Sequence, residues 1–125
     1  MKRAPLTRKT RLRPVSAKRK AYRASDEGQD ALRYMQAVKQ LPCCVCGAAP
    51  PSDAHHCHHD RYGTRKASDF DTIPLCHDGC HQGPNGVHAE KRSWRERHGP
   101  DHGYIAETRA KVFALTGVDF VPTRW

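Results

Sequence analysis

Six cysteines and nine histidines in 125 residues, two short β-prone runs and several helical stretches predict a small α+β fold. The same observations predict that it is zinc-stabilised, flanked by helices and preceded by a basic, disordered amino-terminal arm. With 37% apolar residues, a chain of this length buries only a small core, so a metal that ties loops together adds stability that packing does not supply. The sequence opens on Met1-Lys2-Arg3 and more charge, not on an apolar leader, and no run approaches the ~18 apolar residues of a membrane span. A cytoplasmic protein with no membrane attachment is expected. Disulfides are rare there, so the cysteines read first as metal ligands.

The arm spans residues 1–24 and the metal-stabilised domain residues 25–125. The arm carries ten Lys or Arg and no Asp or Glu, whereas the rest is balanced at 12 basic and 13 acidic side chains. Unmixed positive charge attracts a polyphosphate by releasing its counterions, a sequence-independent term that weakens steeply with salt. Pro5, Pro14 and the lack of helical periodicity predict disorder that resolves on a partner. The expected partner is DNA, with Lys9, Arg11, Arg13, Lys18, Arg19 and Lys20 on its phosphates. A solubilising tail is the bland alternative.

Ser25 is an N-cap, with Asp26 and Glu27 in the first turn where the helix dipole favours negative charge. Ala31, Tyr34, Met35, Val38 and Leu41 then form one apolar face, and Pro42 ends the helix. Ala49-Pro50-Pro51-Ser52 is a break, and Tyr62–Lys66 a polar loop. Ala54–Cys57 and Thr72–Leu75 are predicted strands, the second demoted towards an edge by Pro74. Paired as a hairpin, they bring His55 and His56 close to Cys80-His81. A helix is expected from about His88 to Arg97, stopped by His98-Gly99-Pro100. Another runs from Tyr104 to Thr116, with Ile105, Thr108, Val112 and Leu115 on one side and Gly117 at C′. Trp94, Phe113, Phe120 and Trp125 are expected to close the core.

Cys43-x-x-Cys46 and Cys76-x-x-x-Cys80 form two tight turns, each presenting two sulfurs, as a tetrahedral structural zinc requires. Cys44, Cys57 and His77 are alternatives for individual positions. With the thiolates used, His55, His56, His81 and His88 remain. Three neutral imidazoles around an ion with open positions make a catalytic pattern rather than a structural one. Adjacent strand residues point to opposite faces, so His55 and His56 should have different jobs.

Ala54-His55-His56, Asp71-Thr72-Ile73-Pro74-Leu75-Cys76 and Cys80-His81 together resemble an HNH (ββα-metal) endonuclease motif wrapped by its cysteine zinc site. Leu41–Cys46, Pro74–His81, Gly86-Val87-His88 and the Trp94–Gly99 segment are similar to the phage Ref-type, RecA-dependent nucleases over about residues 40–100. The resemblance implies His55, His81 and His88 as ligands of a catalytic metal, His56 as general base, and Asp71 as the group orienting it, where many members have Asn. It implies Mg²⁺, Mn²⁺ or Zn²⁺ as the working ion, products with 5′-phosphate and 3′-hydroxyl ends, and action in phage recombination directed by a RecA filament.

Arg61, Arg65 and Lys66 in the inter-strand loop, with Lys91, Arg92 and Arg95 beyond, are further candidate phosphate contacts, each weighed against a solvated charged face. Asn85 is a candidate substrate contact. No stretch reads as a base-reading helix, so targeting is assigned to DNA structure or a protein filament. Two other functions compete. A non-catalytic zinc-stabilised nucleic-acid-binding protein explains the cysteines and the arm but leaves the extra histidines without work, and a histidine-rich metal buffer leaves the ordered Cys76–His81 run unexplained.

Overall fold

The computed structural model describes residues 15–61 and 67–120. Lys9, Arg11, Arg13, Arg65, Lys66, the Tyr62–Lys66 loop and Trp125 lie outside the described residues. The elements run α1 (Ala17–Ala24), α2 (Asp26–Lys39), β1 (Asp53–His56), β2 (Thr72–Leu75), α3 (Lys91–His98) and α4 (Ile105–Thr116). A five-residue π-helical turn at His77–His81 and short 3-10 turns at Asp69–Asp71 and Asp101–Tyr104 join them.

Disorder through residue 24, expected from charge and proline, does not hold at α1. Its Ala, Lys and Arg residues are good helix formers, and Ser16 caps the first turn by accepting from the Arg19 amide at 3.2 Å. Ser25 then serves two helices. Its amide donates to the Ala21 and Tyr22 carbonyls that end α1, and its hydroxyl accepts from the Gly28 amide at 3.1 Å to start α2.

β1 and β2 pair antiparallel, with His55 opposite Ile73 and His56 opposite Thr72. A two-stranded ladder is marginal in water, and this one is stabilised by being covered on both sides. Ile73 and Leu75 join Cys43, Cys57, Val87 and Trp94 in one core. Across the sheet Tyr34, Ala37, Val38 and Leu41 of the α2 segment meet Val112 of α4, with Ala54, Phe70 and Phe120 packed against them. All four β2 residues are therefore buried. The outer edge of β2 is also engaged, since the Cys44 amide donates to the Pro74 carbonyl at 2.9 Å.

The last two helices differ from expectation in detail. α3 starts at Lys91, so His88 lies in the preceding turn and not on the helix. In α4, Thr108 and Val112 are buried, but Phe113 is 55% exposed and Leu115 is exposed as well, so neither closes the core. Trp94 does, and Phe120 meets the Tyr34 ring edge-on at a centroid distance of 6.0 Å. Gly117 ends α4 in the left-handed conformation at φ 70°, which only glycine adopts without strain. Among the described residues no helix is long and apolar enough to cross a membrane.

Candidate metal centres

Cys43 and Cys46 lie in the turn after α2, and Cys76 and Cys80 grip the π-helical turn. Their four sulfurs all lie within 4.8 Å of one another. The Cys46 and Cys76 Sγ atoms are 3.6 Å apart. Tetrahedral zinc with bonds of ~2.3 Å needs an S–S edge of about 3.8 Å, so this set is able to hold a structural metal such as zinc. Burial opposes ionisation of Cys43, but amide hydrogen bonds from Cys46, Cys76 and Val45 bring its thiol down to about 7. Cys44 and Cys57 stand outside the cluster, and burial pushes the Cys44 thiol up to about 12 and that of Cys57 up as well. His77 takes no sulfur's place; its Nδ1 meets Asp53 Oδ2 at 2.6 Å.

A second group comprises His55, His81 and His88, each offering one ring nitrogen within 4.8 Å of the others. His81 Nδ1 donates to Asp53 Oδ2 at 2.7 Å, which leaves the lone pair on Nε2. That nitrogen stands 3.0 Å from His88 Nε2. Ligands bound at ~2.0–2.1 Å are about 2.9 Å apart in octahedral and about 3.3 Å apart in tetrahedral geometry, so an ion fits where a shared proton otherwise sits. His55 Nε2 donates to Asp101 Oδ2 at 3.0 Å, and its buried Nδ1 has no hydrogen-bond partner among the described residues. Gly86 fixes the approach of His88, because a Cβ there would lie 2.4 Å from the His81 carbonyl oxygen.

Asp53 and Asp101 are the functional residues that sequence reasoning missed. Asp101 is 0% exposed and accepts from His55, from the His58 amide at 2.8 Å and from the His59 amide at 3.2 Å. Burial alone would raise its carboxyl, yet these donors and the nearby His59 and His55 hold it well below the usual carboxylate range. Asp53 behaves likewise, its pKa raised by burial but lowered more by hydrogen bonds from His81 and His77. Histidines that ligate a metal through one nitrogen are typically held by a carboxylate on the other. His58, given no role by sequence, joins His55 and Asp101 in a further three-ligand group, and its ring touches those of His55 and His88.

The structure does not bring His56 into this cluster. Strand alternation sends it to the opposite side of β1, where its Nε2 meets Asp69 Oδ1 at 2.7 Å. Asp71, expected to orient His56, instead engages Arg109, with Arg61 at 3.9 Å. The carboxylate on His56 is Asp69. Arg61 is correspondingly occupied by an ion pair, Arg95 forks onto Asp60 and Arg92 meets Glu96. Asn85 contributes its carbonyl to Arg97 at 3.0 Å.

His56 and Asp69 line a groove of ≈ 950 Å³ between α1, α2 and residues 67–69, to which Lys18, Arg19 and Arg23 also contribute. Lys20 does not line it. Arg23, absent from the expected DNA contacts, does.

Against known protein families, the model described as "Protein of unknown function (DUF968)" matches residues 18–115. No curated protein and no solved structure matches the chain.

Proposed function

The chain belongs to the DUF968 family, and we propose that it is a metal-dependent endonuclease of HNH type that hydrolyses DNA phosphodiester bonds. The observation that carries the reading is the second ligand set. His55 and His81 each have one ring nitrogen anchored by a carboxylate and join His88 in a three-imidazole set, beside a thiolate set that already suffices for a structural zinc. Stability alone needs no such second, incomplete coordination sphere. A Mg²⁺, Mn²⁺ or Zn²⁺ ion bound there would act as a Lewis acid on water and on phosphate oxygens.

The chain's own groups supply the rest. Asp53 and Asp101 hold the tautomers of His81 and His55. His56, oriented by Asp69, accepts the proton of the attacking water, while the new O–P bond forms, the P–O3′ bond breaks and the departing O3′ takes a proton from solvent water. His56 closes β1, next in sequence to the ligand His55, and on this reading the scissile phosphate lies at that end of the strand. Lys18 and Arg19 attract the backbone, and selection of the target, in phage recombination, falls to DNA structure or to a RecA filament.

Conversion of supercoiled plasmid, and of a RecA-bound D-loop, by the full chain with Mg²⁺, Mn²⁺ or Zn²⁺ tests this reading. Cleavage should require the added ion and be lost in His81→Ala, and it should be lost in His56→Ala while zinc content and circular dichroism of that variant stay unchanged. One tightly bound zinc, DNA binding and no cleavage with any ion would replace it with the non-catalytic nucleic-acid-binding reading.

A further inference from the structure

The groove beside α1 has two walls of different chemistry. Lys18, Arg19 and Arg23 reach it from one face of α1. Tyr22, 37% exposed, lies among them, and Leu32 and Met35 of α2 add apolar surface, Leu32 being 47% exposed. Its one lining carboxylate among the described residues, Asp69, is shared by His56 Nε2 and by the Tyr22 hydroxyl, which donates to Asp69 Oδ2 at 3.2 Å. The groove thus presents cations and apolar surface, with its negative charge already engaged.

α1 is fixed on the domain and is not a loose arm. Gln29 Nε2 donates to the Arg23 carbonyl at 2.6 Å, and the Ser25 hydroxyl donates to the Tyr22 carbonyl at 2.5 Å. Gly28 allows the end of α1 to rest on α2, because a Cβ there would lie 1.9 Å from the Tyr22 carbonyl oxygen.

We propose that this groove binds one strand of nucleic acid, with phosphates on Lys18, Arg19 and Arg23 and an unpaired base against Tyr22 and the Leu32–Met35 surface. A duplex offers a protein surface mainly its charged backbone and leaves the apolar wall unused, whereas a single strand brings base faces as well. The volume of ≈ 950 Å³ lies within the ~300–1,000 Å³ range of pockets for compact ligands, which suits a short run of nucleotides. The inference rests on the nucleic-acid half of the function proposed above and is independent of hydrolysis.

The test is fluorescence anisotropy of the full chain with a fluorescein-labelled oligo-dT and with a duplex of equal length, over a salt series. Wild type should prefer the single strand. Lys18→Glu combined with Arg23→Glu should weaken binding at least tenfold and flatten the slope of log K against log salt by about 1.4, at ~0.7 per phosphate contact. Tyr22→Ala should weaken it by roughly 5- to 150-fold with the slope unchanged, because stacking and not charge is lost. Gly28→Ala leaves charge unchanged, raises helix propensity and should still weaken binding by displacing α1; circular dichroism confirms that the helices remain. Wild-type affinity in both Tyr22→Ala and Gly28→Ala, equal affinity for the duplex, or no binding of oligo-dT would overturn the proposal. Intact single-strand binding without cleavage would overturn only the hydrolytic reading.

Discussion

Asp101→Asn is the sharpest test of how the histidine cluster is held. The replacement keeps the shape but exchanges one accepting oxygen for an NH₂ group. Oδ2 takes His55 Nε2 at 3.0 Å and the His58 amide at 2.8 Å, and Oδ1 takes the His59 amide at 3.2 Å. In the better orientation the amide oxygen keeps the first two contacts, while its NH₂ faces the His59 N–H, leaving buried donors unsatisfied at a cost of ~1–3 kcal/mol. The two surviving bonds lose their charge assistance, about 1 kcal/mol each. A loss of ~3–5 kcal/mol follows, a fall in Tm of roughly 10–20 °C for a domain of this size. The effect should depend on pH. The folded Asp101 pKa lies below its unfolded value of ~3.9, so its contribution is fully present above about pH 4 and is lost as pH falls through the folded value. Thermal unfolding of both proteins by circular dichroism, with zinc present, reads the difference. It should be constant near neutrality and shrink below about pH 4; an Asn variant that melts with wild type at pH 7 would refute the anchoring role of Asp101.

Cys76→Ser should lose zinc by mass spectrometry and unfold, since structural zinc contributes ~10–16 kcal/mol in small zinc domains, as much as a typical domain's whole stability; retained zinc and a cooperative melt would contradict the four-thiolate assignment. Trp94→Ala removes a fully buried ring that meets His59, His98 and Tyr104, and urea denaturation should show a loss of ~3–5 kcal/mol. Asp69→Asn should slow cleavage with little change in the denaturation midpoint. Asp71→Asn, which breaks the pairing with Arg109, should do the reverse, lowering stability by about 1 kcal/mol and sparing turnover; matching effects of the two variants would show that Asp69 has no special tie to His56.

What was legible in the sequence is what depends on local spacing. The apolar period of α2, its Ser25 cap, the two short strands and the paired cysteines all lie within a few residues of one another, and the structure keeps them. Asp101 was illegible because its partners His55, His58 and His59 are more than forty positions away, and nothing in Gly99-Pro100-Asp101 marks a buried anion. The exchange of Asp71 for Asp69 has a geometric cause. The two residues sit in one 3-10 turn of three residues per turn, so they project about 120° apart and only one faces His56. At α1, the dense positive charge masked a sequence of good helix formers that Ser16 and Ser25 cap at both ends.

The electrostatics of the imidazole cluster follow from its packing and bear on which ion it suits. Burial and neighbouring rings push His81 and His88 below the ordinary histidine value, and burial brings His58 to about 4. Near neutral pH these rings are uncharged and their lone pairs are available. Behind them, Asp53 and Asp101 are both held ionised by their hydrogen bonds. These neutral rings are backed by two carboxylates, Asp101 being fully buried, and that negative charge favours a bound cation. The same carboxylates make His55 and His81 better donors by drawing on their N–H groups. The thiolate set differs in kind, since its ligands are the charged groups themselves and four sulfurs complete a tetrahedron. Three imidazoles would not fill the sphere of an octahedral ion, and the proposed function assigns the remaining positions to water and a phosphate oxygen. Under the proposed function the two sets do different work, the sulfurs holding the fold and the imidazoles exchanging ligands with substrate.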